Sequence, residues 1–307
     1  MSVNEVQTID VNGVRLAYVE MGNRSEPPVV FVHGGYADYR SWKFQLGPFA
    51  NKGYHLIAYS RRYAWPNQRE GDYSDNSIQN NTTDLVALLD ALGIESAHLI
   101  GVTTGGFISL FLALNTPQRV KTLVLAEPAV ISLLIKNPGS RFGLLSLYIT
   151  KPSVVNSVMK VTRTVRSARR ALLKGDSDTA ASLLVDGLMG DDPRFPPKEG
   201  EFTTLFDRLP EWIQTMYKDN VGDLKEGLTT IEDPRFTCDE ARRIASPTLL
   251  IKSEYGKPFH PIVDRLSKCL PTSESVTIPG VGVDFGRWFE PYPFNGVVLD
   301  FLSRHSE

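Results

Sequence analysis

The sequence predicts an α/β protein: a mostly parallel, twisted sheet of about eight strands that opens with an antiparallel hairpin, carries helices on both faces and is interrupted by an inserted helical lid. Three observations predict it. Continuous apolar runs, Val29-Val30-Phe31-Val32 and Leu56-Ile57-Ala58-Tyr59, are bounded by turn residues, as strands buried on both faces are. Segments of helical period separate such runs, and that alternation builds parallel βαβ units. Between about residues 131 and 235 the alternation stops, and only helical patterns remain.

Along the chain, residues 6–11 and 14–20 alternate apolar and polar around Asn12-Gly13, the signal of a tight hairpin that Pro27-Pro28 ends. Residues 84–92 read as a helix with Leu85, Leu88, Leu89 and Leu92 on one face and Gly93 as its stop. Strands at 98–101 and 122–126 flank a helix at 107–114. Two more strands fall at 248–251 and 275–278, and a helix at 294–302 closes the chain. The expected organisation is therefore a core of residues 1–130 and 236–307 with a cap inserted at 131–235. Within the cap, Val154, Val158, Val161, Val165, Ala168 and Leu172 form an apolar stripe opposite Lys160, Arg163, Arg166, Arg170 and Lys174. Such a pattern is that of a surface helix with a solvated basic face, with an acidic partner as the alternative.

Composition narrows the functional classes. The 307 residues are 42% hydrophobic and 22% charged with a formal net charge of -2, which gives no electrostatic case for nucleic acid or an anionic membrane. The two cysteines, Cys238 and Cys269, suggest no disulfide framework and are expected as thiols in a reducing compartment. The polar, alternating N-terminus is unlike a signal peptide, and no apolar run reaches the roughly 20 residues that span a bilayer. A cytoplasmic protein with a small-molecule substrate is expected; the oligomeric state is not legible. No spaced His/Cys/Asp/Glu set and no phosphate or dinucleotide loop occurs, so neither a metal nor a cofactor is expected.

The most informative segment is His98-Leu99-Ile100-Gly101-Val102-Thr103-Thr104-Gly105-Gly106. It has the form of a nucleophile elbow, strand then G-x-S-x-G then helix, with threonine in the serine's place. With Val32-His33-Gly34-Gly35 after a buried strand, Pro247-Thr248-Leu249-Leu250-Ile251 and Ile278-Pro279-Gly280, it makes four motifs in one order, and on these the chain resembles the α/β-hydrolase superfamily over nearly its whole length.

The resemblance implies roles for particular positions. Thr103 stands at the nucleophile and Val283 at the place of the histidine, so no proton acceptor is expected there. The usual acid position falls on Gly256, and Glu127 occupies an alternative one, with Glu254 and Asp284 as further candidates. His260 is a candidate replacement base. The backbone N–H groups of Gly35 and Thr104 match the oxyanion hole. Tyr36, Tyr63 and Trp65 are expected to line an apolar pocket. Arg61 or Arg62 could bind an acidic or carbonyl group, or form a structural ion pair.

Three readings follow from these positions. The leading one is a cofactor-independent enzyme with a converted, non-hydrolytic site, using the oxyanion hole and a carboxylate for elimination, isomerisation or cyclisation of a small, apolar, carbonyl-bearing substrate. The others are an unusual esterase or lactonase that uses Thr103, and a non-catalytic small-molecule binding protein.

Overall fold

The computed structural model describes residues 5–67, 73–134, 152–189, 192–196, 204–225, 234–256, 259–284 and 287–305. Its framework is an eight-stranded sheet: β1 (Gln7–Val11), β2 (Val14–Met21), β3 (Pro28–Val32), β4 (His55–Tyr59), β5 (Ala97–Val102), β6 (Val120–Ala126), β7 (Thr248–Ser253) and β8 (Ser273–Ile278). The spatial order is β1-β2-β4-β3-β5-β6-β7-β8. The first two pairings, β1 with β2 and β2 with β4, are antiparallel, and the rest are parallel. At the β1–β2 turn Asn12 and Gly13 both take positive φ, 48° and 72°, the backbone that matches the twist of a two-residue hairpin.

Helices cover both faces. α1 (Lys43–Ala50), α2 (Ile78–Ala91) and α3 (Thr104–Asn115) follow β3, β4 and β5, and α4 (Pro152–Leu173), α5 (Ser177–Met189) and α6 (Glu211–Asn220) lie in the insertion. α7 (His260–Cys269) follows β7 and α8 (Pro291–Ser303) ends the chain. Side chains alternate across the strands, so each strand feeds two cores. Val30 and Val32 pack with α2, α3 and α7, whereas Val29 and Phe31 pack with α1 and α8. A third cluster belongs to the insertion, where Val165, Ala168, Leu184, Ile213 and Met216 pack together and against Trp288 of the core. Val161 and Leu172 of the predicted stripe join it from the side, while the side chains of Val154 and Val158 lie outside the described residues.

Strand order places the site. After β3 the chain steps one way to β4, then returns to lay β5 on the other side of β3. The loops leaving β3 and β5 diverge there, and such a switch point opens a crevice at the carboxyl ends of the strands. His33–Tyr36 and Thr103 sit on those two loops.

Two expectations about the chain need correction. Cys238 and Cys269 are not separate thiols but a disulfide, with Cα atoms 5.2 Å apart, joining a short helical turn to the end of α7. The expected reducing compartment rested on unpaired thiols and loses that support. Helix α1 was not legible either, because Gly47 and Pro48 interrupt its pattern. No helix among the described residues is long and apolar enough to cross a membrane.

Candidate active site

The elbow forms as the motif predicts, with threonine at its apex. Thr103 adopts φ 46° and ψ -111°, directly before α3. A β-branched residue there is a true backbone outlier and costs on the order of 1–3 kcal/mol. The surroundings hold it: its N–H donates to Ala126 O at 3.0 Å, and its carbonyl accepts from Phe107 N at 3.1 Å and Ala129 N at 3.0 Å. Close approach explains the flanking glycines. A Cβ on Gly105 would sit 2.1 Å from Val32 O, and one on Gly101 would sit 2.5 Å from Gly105 O. The hydroxyl of Thr103 turns toward the loop after β3, where a Cβ on Gly34 would lie 2.4 Å from Oγ1.

That loop is held from below. Arg61 N–H donates to His33 Nε2 at 2.9 Å, so the proton of the neutral ring is on Nδ1, which donates to Gly34 O at 2.8 Å. Burial and the Arg61 charge push the His33 pKa well down, in keeping with a neutral imidazole. Arg61 Nη2 donates to the same carbonyl at 3.0 Å. Arg61 is 4% exposed and lies 3.6 Å from Asp223 of the insertion, so it is an internal ion pair and offers little surface to a substrate. Arg62 is also spent internally, on Asp84 at 2.7 Å and Asp75 at 2.9 Å.

Glu127 follows β6 with φ 44° and is fully buried. Its Oε1 accepts from the N–H and the hydroxyl of Ser253, both at 2.8 Å. His260 Nε2 lies 3.5 Å from the same oxygen and 2.7 Å from Ser253 O. A Cβ on Gly256 would fall 2.5 Å from Glu127 Oε2, so the carboxylate fills the space that a side chain at 256 would need. Burial raises the pKa of Glu127, against the hydrogen bonds that lower it. The hydrogen bond to Glu127 raises that of His260. These two candidates form one cluster beside β7, with Glu127 buried and His260 partly exposed.

The remaining candidates separate. Glu254 is exposed and accepts from Gly280 N–H at 2.6 Å. Val283 packs against the insertion's apolar cluster, and Asp284, buried, is bound by Arg194. Tyr36 has φ 57° and packs at the same cluster; burial pushes its hydroxyl pKa far up. Trp65 carries Arg40 over its ring at 3.9 Å and stacks with Tyr39. Tyr63 stacks with Tyr73 at 4.1 Å. Among the described residues no histidine is hydrogen-bonded to Thr103.

Sequence reasoning missed the insertion's contacts with the core. Tyr36 N–H donates to Asp223 Oδ2 at 3.1 Å, Asn220 reaches Asp38 at 2.7 Å, and Arg40 reaches Asp219 at 2.8 Å. Nothing local signals them, since the Tyr36 and Asp223 positions are 187 residues apart. Among the described residues no group of three or more His, Cys, Asp or Glu side chains could hold a metal ion.

Residues 27–282 match the family described as alpha/beta hydrolase fold, and the chain belongs to that family. Over 215 residues it is 31% identical to Epoxide hydrolase A of Mycobacterium tuberculosis, covering 67% of this chain and 64% of that one. It is 24% identical over 305 residues to Bifunctional epoxide hydrolase 2 of Sus scrofa, covering 95% of this chain and 54% of that one. The chain thus spans less than two thirds of either relative's length. The fold is similar to that of Epoxide Hydrolase A from Mycobacterium thermoresistibile, with a TM-score of 0.71 at 22% identity over 97% of this chain and 98% of that one.

These relatives correct the leading functional expectation. A converted, non-hydrolytic site does not stand, because the similar proteins are hydrolases by name. The physical reason is that a missing base slows acyl transfer without changing which charge the site is built to stabilise. Lyase, isomerase and cyclase chemistry lose their support with it.

Proposed function

We propose that the protein is a hydrolase of small, largely apolar esters or lactones, with Thr103 as its nucleophile. The observation that carries this reading is the strained backbone of Thr103, held by three hydrogen bonds with its hydroxyl turned to the Gly34 loop. Strain of this kind persists where surrounding structure enforces it and gathers at functional sites. In the proposed reaction Thr103 Oγ1 attacks the carbonyl, and the N–H groups of Gly35 and Thr104 receive the oxyanion. The alcohol then leaves, and water releases the acid from the acyl-threonine. Valine at 283 accepts no proton, so the hydroxyl proton passes to water, and turnover is slow by orders of magnitude compared with a Ser-His-acid site. We further propose that the helical insertion acts as the lid of this site.

Epoxide hydrolysis is the second reading, favoured by the names of the relatives. Attack by a threonine hydroxyl on an epoxide would leave an ether, which water does not cleave. An epoxide substrate would therefore need direct attack by water, independent of the Thr103 oxygen.

Turnover of p-nitrophenyl esters, lactones and aryl epoxides separates the two readings. Ester or lactone hydrolysis abolished by Thr103→Ala, and accelerated by Thr103→Ser with Val283→His, is the expected result. Epoxide turnover that survives Thr103→Ala would replace it with the second reading. An inert native protein would remove both.

A further inference from the structure

We infer that Asp223 and Arg61 are positioning residues that aim the Gly35 amide, so that the oxyanion hole is complete only when the helical insertion is docked. The inference rests on the hydrolase reading above. It begins with the peptide joining Gly34 to Gly35. The carbonyl of that peptide takes two donors, Arg61 Nη2 at 3.0 Å and His33 Nδ1 at 2.8 Å. In a planar trans peptide the C=O and the following N–H point in opposite directions. Fixing the Gly34 carbonyl toward Arg61 and His33 therefore turns the Gly35 N–H away from them. A Cβ on Gly35 would lie 3.8 Å from Thr104 Oγ1, so this amide sits over the start of α3.

Arg61 in turn depends on the insertion. It is buried, its Nε has no partner among the described residues, and its charge is met by Asp223 at 3.6 Å. Asp223 lies in a short helical turn, Val221–Leu224, that follows α6. The same carboxylate oxygen accepts the N–H of Tyr36, one residue beyond Gly35, and so supports the positive φ of that residue. Two consecutive residues of the loop are thus set by one carboxylate, Tyr36 directly and Gly35 through Arg61 and Gly34. A guanidinium buried with incomplete partners is costly as a stabilising device. Its placement is accounted for by the carbonyl it orients.

Native protein, Asp223→Ala, Asp223→Asn and Arg61→Lys, each full length and ¹⁵N-labelled, test this. The readouts are the Gly35 and Tyr36 amide resonances and the kcat and KM for the best ester. Asp223→Ala is expected to shift both resonances and to lower kcat at least about tenfold with KM changed by less than about twofold, as loss of a transition-state contact does. Asp223→Asn keeps an acceptor for Tyr36 and is expected to recover most of kcat. An unmoved Gly35 resonance, or a loss carried by KM alone, would overturn the inference. Should Asp223→Ala fail to fold, Arg61→Lys decides: it keeps a charge beside Asp223 but loses the Nη2 contact with the Gly34 carbonyl, and it is expected to shift the Gly35 resonance and lower kcat at least about tenfold with KM little changed. An absence of native turnover would sink the hydrolase reading, while the resonances would still report whether Asp223 holds the loop.

Discussion

Arg194, in the insertion, binds the carboxylate of Asp284, the residue after Val283 in the loop that follows β8. The same guanidinium also holds Asp192. A loop that would carry a base in the pattern the motifs resemble is here tied to the helical layer, and Asp284 is fully shielded from solvent. Removing Arg194 would leave Asp284 buried without its partner. Arg194→Ala is therefore expected to destabilise the protein by about 3 kcal/mol in chemical denaturation. Asp284→Asn is expected to cost less, because Arg194 keeps Asp192 as its ion-pair partner. Equal losses for the two would show that packing, not charge, holds the loop.

The strain at Thr103 predicts a trade of stability against chemistry. Thr103→Gly removes the Cβ from a positive-φ position and is expected to raise stability by about 1 kcal/mol while ending ester turnover. A thermal melt that falls instead would mean that the side chain contributes more through its contacts than its backbone costs.

Glu127 and His260 predict a pH dependence. Both pKa values are raised in the folded state, Glu127 by burial and His260 by Glu127. A raised folded pKa contributes stability below the unfolded value, which is lost as pH rises through the folded one. Glu127→Gln should therefore be more stabilising, relative to native protein, at neutral pH than at pH 4. In the same variant the His260 ring, followed by NMR, should titrate lower than in the native protein. A His260 titration indifferent to this change would separate the two groups.

The Cys238–Cys269 bridge closes a segment of sequence separation 31. By the chain-entropy argument, replacing both with serine should cost about 4 kcal/mol. Alkylation of the untreated, unfolded protein is expected to label neither cysteine, and labelling of both would refute the pairing.

What the sequence made legible follows from how local each signal is. Strands β3, β4, β5, β6 and β7 could be read directly, because parallel strands buried on both faces leave continuous apolar runs. The elbow was legible because close backbone approach demands Gly101 and Gly105. The first turn of α2 was not, since Asn80, Asn81 and Thr82 carry no apolar period; Ser77 caps it instead, accepting from Asn80 N–H. The roles of Arg61 and Arg62 were open between substrate binding and internal pairing, and only the fold brings Asp223 and Asp84 to them. The Gly256–Glu127 complementarity was hidden for the same reason, because a glycine and a glutamate in the loops after neighbouring strands show no common pattern in one dimension.

The insertion's place in the chain also dictates an order of assembly. β6 ends at Ala126 and its neighbour β7 begins only at Thr248, with the whole insertion between them. As the chain emerges, β6 is for that interval the raw edge of a half-built sheet, presenting unpaired backbone groups. Closing so long a loop before any pairing is gained is slow. Lesions in the insertion should therefore be read first as faults of maturation, lowering the yield of soluble protein before they touch turnover.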